Sequence, residues 1–550
     1  MKFKKDEFLE SKAFKFAQKY WLYIVVVIAL IIVAISSVNI YKEEVLELDP
    51  TLKYEDQGTI SFAAASFDTL NPLVSKSEDT YYLSKLMYSS LFEYTDNLNV
   101  AGDLVENYTV DTEKAFVDLK LKAGITWHDG KAFTTSDVRF TVNVIKAQGS
   151  SGLYYENAAK IHSVSVKDDL NVRIYFNNNY NCSLDDLTFP IVQGNKTSSV
   201  GTFIRDIENF KPVGTGQYKF DSYDSFKEVK LTPNDSYYGA KATNRISVKI
   251  LPSKGTASSM LEIGSVTCYT EKGSERKSLV NDKELKMYDI VSNEVDFIVF
   301  NTSRPHVKNK IVRRGLCYAI DNENILQDGY MEDGILTDTI YYPNFLGIAD
   351  KNSSYNFDRE KAKETLASVG YEDKNRNGKI QKDNEKEIAL TILVNSNNAN
   401  RLAAARIMSK NLESIGFTIN INSVPWEEYN TLIAQRNFDI LITGYEMDAA
   451  YDLRQFFDGT NPWGYMDNEM LQEARDLDRL HTAAEYTNIY DELKELMIEK
   501  VPYYPLCYKK MGLIGVDTFE AKQLPMFNDI YKNCQTWSWQ KKIPLKEETK

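Results

Sequence analysis

One segment of the chain, residues 438–452, sets a tyrosine and several acidic side chains directly after a short apolar run. Ile440, Leu441 and Ile442 favour a buried strand, and Gly444 is predicted to end it. The polar residues that follow are Tyr445, Glu446, Asp448, Tyr451 and Asp452. Because a strand fixes the start of the loop after it, such a loop can present these groups to a ligand outside the sheet. A solvated acidic loop would have the same composition.

A second segment, residues 373–384, carries side-chain oxygens at the spacing of a calcium-binding loop. The first, third, fifth and sixth positions of that loop are Asp373, Asn375, Asn377 and Gly378. The twelfth position, which normally holds a bidentate glutamate, is Asn384, and Glu385 follows it. A polar surface turn is the alternative interpretation.

Catalytic chemistry has no support in the sequence. The four histidines lack the spacing of metal ligands, and His128 lies in a turn, where a structural role is the simplest interpretation. The sequence contains no phosphate-binding loop, no dinucleotide fingerprint and no serine-hydrolase motif. An enzyme is therefore the less favoured class of protein, and no cofactor is predicted.

Composition limits the class of protein further. A chain of 550 residues is too long to fold around one small hydrophobic core, so two or three domains are expected. The net charge of -13 argues against nucleic acid as a partner, because phosphate binding needs a basic face. The five cysteines have no CxxC spacing and predict no zinc site, and the sequence leaves open whether one or two disulfides form.

The N-terminal region has the pattern of a membrane anchor. Residues 1–20 form a lysine-rich leader, residues 21–40 carry no charge, and residues 41–56 form a charged stalk. An uncharged run of about 20 residues matches the thickness of a bilayer's hydrocarbon core. Lysines before the run and acidic residues after it predict a cytoplasmic N-terminus and an external main body. A cleaved signal peptide with a small-residue site at 34–36 is the alternative.

Several motifs after the anchor resemble those of one protein family. They are LKAGITWHDGKAFTTSDVRF at 121–140, KPVGTGQY at 211–218, TPNDSYY at 232–238, FNT at 300–302, VRRGLCYAID at 312–321, NFDREKAKETL at 356–366 with Gly370-Tyr371, and VPYYPL at 501–506. Their order and spacing resemble the family 5 extracellular solute-binding proteins, which are the peptide-, dipeptide- and nickel-binding receptors of ABC importers. The resemblance extends from about Thr59 to Trp539. One departure is Gly264-Ser265-Val266-Thr267, which replaces the family's G-E-I-D.

The resemblance implies an α/β, periplasmic-binding-protein-like fold with two lobes, a hinge and an extra subdomain in lobe I, preceded here by the one transmembrane helix. By motif order, lobe I spans 57–300 with its subdomain at about 93–206, lobe II spans 301–507, and 508–545 returns to lobe I. The patterns of residues 390–394, 401–415 and 417–424 alternate between strand and helix, which agrees with an α/β lobe. The ligand would lie in the cleft between the lobes and be enclosed when the hinge closes.

The resemblance also implies a role for the acidic segment. In the peptide-binding branch of the family, G-W-x-x-D follows a strand, and its aspartate pairs with the α-amino group of the peptide. Gly444, Tyr445 and Asp448 fit this pattern, with tyrosine in place of tryptophan. Asp448 is therefore the expected contact for an ammonium group, since charge-assisted hydrogen bonds are the strong ones. Gly444 and Tyr445 would flank the ligand, and Asp452 is a further candidate.

These expectations together describe a membrane-anchored, extracytoplasmic binding protein of a bacterial cell membrane. It would capture oligopeptides and deliver them to the permease and ATPase subunits of an ABC importer. The alternatives are the same fold with a nickel chelate, heme or sugar as ligand, a ligand-sensing receptor, and a chaperone-like binder of extended peptides.

Overall fold

The computed structural model describes residues 52–177, 182–194, 199–208, 210–273, 276–281, 285–348, 354–382, 387–450, 452–477, 479 and 481–544. The predicted leader and transmembrane segment lie outside these residues. In the part of the chain that the structure describes, no helix is long and apolar enough to cross a membrane.

The described chain contains short and long strands throughout its length. In chain order they are β1 (Leu52–Asp56), β2 (Thr59–Ala64), β3 (Phe92–Tyr94), β4 (Val100–Gly102), β5 (Val105–Asp111), β6 (Phe116–Leu121), β7 (Ile161–Val166), β8 (Asn171–Phe176), β9 (Tyr218–Asp224), β10 (Glu228–Pro233), β11 (Arg245–Ile250), β12 (Cys268–Lys272), β13 (Leu285–Phe300), β14 (Gly334–Ile335), β15 (Tyr371–Glu372), β16 (Gln381–Lys382), β17 (Ala389–Asn395), β18 (Thr418–Val424), β19 (Ile440–Glu446), β20 (Tyr503–Val516), β21 (Glu520–Ala521), β22 (Trp537–Ser538) and β23 (Gln540–Pro544).

Helices separate many of these strands. They are α1 (Glu78–Met87), α2 (Thr135–Gln148), α3 (Tyr155–Ala159), α4 (Val200–Arg205), α5 (Ala257–Glu262), α6 (Arg276–Asn281), α7 (Lys310–Ala319), α8 (Asn322–Asn324), α9 (Arg359–Ala367), α10 (Ala399–Ser414), α11 (Trp426–Ala434), α12 (Asn468–Asp476) and α13 (Ala483–Lys500). The mixture of strands and helices confirms the α/β class.

The chain divides into two compact units. Residues 52–56 and 540–544 belong to the first unit, in which β1 pairs antiparallel with β23. The second unit is Gln57–Trp539. Strand β20 crosses the lobe boundary expected at residue 507, and the division of the second unit into lobes stays a prediction.

A seven-stranded sheet organises the second unit, with the strand order β12-β20-β13-β19-β17-β18 and β14 beside β20. The long strands β13 and β20 are antiparallel, whereas β17 pairs in parallel with both β18 and β19. The carboxyl ends of these three parallel strands therefore lie at one edge of the sheet. In α/β sheets that edge is where ligands bind.

The end of β13 is buried on both faces. Val295, Phe297 and Val299 pack into one hydrophobic core, and Ile298 and Phe300 pack into another. This alternation follows the two-residue period of a strand. The run is therefore apolar on both sides, as expected for a strand that is covered on both faces.

Two further sheets complete the second unit. Strand β2 pairs in parallel with β11, which continues antiparallel through β10 to β9. Strands β5, β6, β8 and β7 form an antiparallel sheet within the segment predicted as the subdomain. Helix α2 starts beside this sheet with a capping box in which Thr134 and Asp137 satisfy each other's backbone amides.

The turn that contains Gly214 and Gly216 packs directly on the end of α1. A Cβ atom on Gly214 would lie 1.8 Å from the carbonyl oxygen of Met87, so a larger residue does not fit. His128 holds this turn, since its Nδ1 accepts from the Gly214 amide at 3.1 Å and its Nε2 lies 3.0 Å from the Gly216 carbonyl oxygen. The structural role predicted for His128 is confirmed.

Several predicted elements are confirmed with small shifts at their ends. The strand expected at 390–394 is β17, the helix expected at 401–415 is α10, and the strand expected at 417–424 is β18. The prediction that Gly444 ends a strand is wrong, because β19 continues to Glu446 and pairs with β13 through this residue. All five cysteines are buried and form no disulfide, so the one or two disulfides that the sequence left open are absent.

Candidate functional site

A cavity of about 690 Å³ lies beyond the carboxyl end of β19. Its walls come from parts of the chain that are far apart in sequence: helix α1, the region around β3, residues 153–160 and 182–188, the loop after β19, and helix α13. A volume in this range is typical of a small-molecule or peptide site.

Two of the four predicted site residues, Asp448 and Asp452, line this cavity. Asp452 is bound by Arg454, whose Nε and Nη2 lie 2.8 and 2.5 Å from its two carboxylate oxygens. Burial would raise the pKa of Asp452, but the hydrogen bonds and charge of Arg454 lower it below the ordinary value. Asp452 therefore has an internal cation, and both Asp448 and Asp452 are solvent-exposed at the cavity wall.

Tyr445 supports the loop and is not among the cavity-lining residues. Its hydroxyl lies 2.5 Å from Nε2 of Gln455, and its ring packs edge-on against Phe456 with centroids 5.0 Å apart. The neighbouring Glu446 forms an ion pair with Lys272 of β12 at 2.8 Å. Both side chains stabilise the segment that leads to Asp448.

Gly444 also lies away from the cavity lining, for a reason that the sequence did not show. A Cβ atom on Gly444 would lie 2.0 Å from Nη2 of Arg401 and 2.2 Å from Oδ1 of Asp296. The glycine is therefore required by side chains that pack against the strand, and not by a turn.

An aromatic cluster anchors the loop between β19 and α12. Phe456 packs against Phe297, Trp463 and Tyr503, with ring centroids 6.2, 6.0 and 5.6 Å apart. The hydroxyl of Tyr503 donates to the Phe456 carbonyl and accepts from the indole nitrogen of Trp463. Aromatic packing of this kind fixes the residues on either side, which include Asp452 and Arg454.

The remaining walls of the cavity are rich in aromatic rings. They include Tyr81, Tyr94, Tyr154, Phe345, Tyr486 and Tyr490. Sequence reasoning missed these residues. The 35 tyrosines of the chain were a signal of aromatic contact surface, but no local motif marks the ones that meet here.

The residues proposed for calcium form a hydrogen-bonded turn. The Asp373 carboxylate accepts from the amides of Asn377 and Gly378 at 3.0 and 2.8 Å. The side-chain amide of Gln381 donates toward the oxygens of Asn375 and Asn377. The described residues contain no cluster of three His, Cys, Asp or Glu that could hold a metal, and the twelfth loop position lies outside them. Calcium binding stays a prediction.

Comparison with known proteins agrees with this fold. The model of bacterial extracellular solute-binding proteins, family 5, middle, matches residues 99–464. The oligopeptide-binding protein AppA of Bacillus subtilis is 26% identical over 496 residues, which cover 85% of this chain and 89% of that protein.

Solved structures show the same fold. AppA from Bacillus subtilis in complex with a nonapeptide has a TM-score of 0.51 at 22% identity, and the match covers 89% of this chain and all of that one (100%). NikZ from Campylobacter jejuni in complex with Ni(L-His) has a TM-score of 0.57 at 22% identity and covers 88% of this chain and 99% of that one.

The fold and the family match define a periplasmic-binding-protein-like solute-binding protein. The chain belongs to family 5 of the bacterial extracellular solute-binding proteins. It is thus an extracytoplasmic substrate-binding protein of an ABC importer and not an enzyme.

Proposed function

We propose that this protein captures oligopeptides in the cavity beyond β19 and delivers them to the permease of an ABC importer. The observation that carries the proposal is the position of Asp448, at the cavity wall just after the carboxyl end of β19. A carboxylate there suits the α-ammonium group of a peptide, because a hydrogen bond between charged groups is strong when water is excluded.

The other walls of the cavity suit the rest of a peptide. Tyrosine rings offer broad contact surface with little loss of side-chain entropy, and their hydroxyls can bond to backbone groups. The similarity to AppA of Bacillus subtilis, solved with a nonapeptide, supports the same ligand class.

Capture requires the walls of the cavity to close on the ligand. Strands β13 and β20 are suited to act as the hinge, since their ladder has irregularities between Val291 and Val295 and between Asp296 and Phe297. Breaks in a ladder are places where a strand bends. The closed form would then present a different surface to the permease, with the uncharged segment 21–40 keeping the protein at the membrane.

Thermal unfolding with candidate ligands tests this proposal. The full-length protein, purified in mild detergent, is heated with mixed peptides of three to nine residues, with nickel–histidine, or with heme. A peptide at 100 times its Kd should add about 2.7 kcal/mol of stability and raise the Tm. A Tm that rises only with nickel–histidine or heme would overturn the peptide proposal and leave the fold and family intact.

A further inference from the structure

The charges that line the cavity do not balance. Five lining residues are carboxylates and three are cations. Each cation already faces an acidic group: Lys160 lies 2.9 Å from Asp186, Arg454 binds Asp452, and the charge of Lys85 acts on Asp529 outside the lining. The cavity lining is therefore acidic, which favours a ligand with positive charge.

Asp185 is the lining carboxylate whose surroundings are best suited to such a ligand. Its carboxylate accepts from the Ser183 hydroxyl at 2.8 Å and from the hydroxyl of Tyr94. Among the described residues, no lysine or arginine nitrogen lies within 4.0 Å of the Asp185 carboxylate. The nearby Lys160 pairs with Asp186 instead. Neutral donors hold the carboxylate in place, and the nearby cation, Lys160, acts on Asp185 from a distance while it pairs with Asp186.

Two tyrosines lie near this carboxylate. The charges of Asp185 and Asp448 both raise the pKa of Tyr94, and the charge of Asp185 raises the pKa of Tyr486. Both rings line the cavity. A carboxylate held by a tyrosine hydroxyl in the cavity wall is a favourable environment for an ammonium or guanidinium group, which gains a charge-assisted hydrogen bond.

Burial and the adjacent Asp186 raise the pKa of Asp185 to about 6. An ionised Asp185 therefore carries a cost in the empty protein, because its charge is partly desolvated and lies beside another carboxylate. A cation bound next to it would remove that cost.

We propose that the cavity selects peptides with a basic side chain, and that Asp185 receives the ammonium or guanidinium group of that side chain. The inference rests on the proposed peptide-binding function and makes it narrower. Asp448 would bind the α-ammonium group and Asp185 a second cation of the same ligand, with Tyr94 near both.

Calorimetric titration of the full-length protein at pH 7.5 tests the proposal. The probes are alanine pentapeptides with a single lysine, norleucine or glutamate at each position in turn. Norleucine has nearly the length of lysine without its charge. The proteins are the wild type, Asp185→Asn, and the control Asp235→Asn, which removes the same charge from an exposed residue outside the cavity.

We expect lysine to improve the affinity over norleucine by about tenfold or more at one position or more, as a charge-assisted bond should. In Asp185→Asn the gain should fall to about twofold, since only weaker polar contacts remain. In Asp235→Asn the gain should be unchanged. Norleucine peptides should bind all three proteins alike, which shows that the variant cavity is intact.

Two results would overturn the inference while leaving the peptide function in place. One is a wild-type protein that binds peptides but does not prefer lysine at any position. This result can be obtained with the wild type alone. The other is a lysine preference that survives in Asp185→Asn. If no pentapeptide binds the wild type, the proposed function and this inference both fall.

Spermidine provides the remaining comparison, because it carries ammonium groups without a peptide backbone. We expect it to bind at least about tenfold more weakly than the best lysine peptide, since it cannot use the backbone contacts. If spermidine binds as tightly as the best lysine peptide and its binding depends on Asp185, the cavity binds free polyamines. That result would overturn the proposal that peptides are the ligands.

Discussion

The guanidinium group of Arg401 pairs with the buried carboxylate of Asp296 directly beneath Gly444. The Arg401 Nε and Nη2 atoms lie 3.0 and 2.7 Å from the two carboxylate oxygens. Burial would raise the pKa of Asp296, but the charges of Arg401 and Lys509 lower it, so the pair stays ionised. The pair joins α10 to β13 and occupies the space beside β19. Strand β19 ends at Glu446, two residues before Asp448.

This relationship predicts the effect of adding one methyl group. Gly444→Ala should lower the free energy of unfolding by at least about 2 kcal/mol, because the new Cβ displaces a buried ion pair. Chemical denaturation measures the loss. The matched control is Gly58→Ala, where a Cβ would meet nothing within 4 Å, and it should change stability by no more than about 0.5 kcal/mol. Equal stability of the two variants would contradict the packing role of Gly444.

His128 should make stability depend on pH. Burial lowers its pKa to about 4 from the ordinary 6.5, so the folded state keeps the ring neutral while the unfolded state takes up a proton. The associated stability is fully present above pH 6.5 and is lost as the pH falls toward 4. Between pH 7.5 and pH 5.0 the loss should be about 2 kcal/mol.

The variant His128→Gln isolates this effect from the other acidic and basic groups. Its stability should change less between the two pH values than that of the wild type, by the same amount of about 2 kcal/mol. Urea unfolding at pH 7.5 and 5.0 provides the measurement. Parallel pH profiles for the two proteins would show that His128 does not titrate between the folded and unfolded states.

The role proposed for Asp448 predicts a specific pairing with the peptide N-terminus. Asp448→Asn should weaken binding of a peptide with a free α-amine by about 1.5–3 kcal/mol, the typical value of a hydrogen bond between charged groups. N-acetylation of the peptide should weaken binding to the wild type by a similar amount. The two losses should not add, and calorimetric titration of all four pairs measures this. Unchanged affinity in Asp448→Asn would refute the role.

The lysine preference assigned to Asp185 should itself depend on pH. Because the pKa of this carboxyl is about 6, it becomes neutral as the pH falls from 7.5 to 5.0, and the advantage of lysine over norleucine should shrink. The groups near it are Asp186, Lys160, Tyr94 and Tyr486, and burial raises the pKa of Asp186 and of both tyrosines. A preference that grows as the pH falls would contradict the assignment.

Sequence patterns predicted some of the elements, and the resemblance to a family predicted the α/β fold. Helix α10 and the strands β17 and β18 beside it follow from their hydrophobic period, and His128 could be recognised as a turn residue. Gly444 was misinterpreted as the end of a strand, because glycine usually signals a turn. A glycine is needed there because two side chains from other elements, Arg401 and Asp296, leave no room for a Cβ atom. Asp185 and Tyr94 were missed for a related reason. They are about 90 residues apart in sequence, and only the tertiary structure brings them beside each other.

Native mass spectrometry of the full-length protein, purified in mild detergent without refolding, tests the central claim most directly. Ligands that co-purify report what the cavity held in the cell. We expect a ladder of adducts whose masses are those of short peptides, with lysine- or arginine-containing peptides enriched. A single adduct with the mass of a metal chelate or heme would contradict the claim that the protein binds oligopeptides.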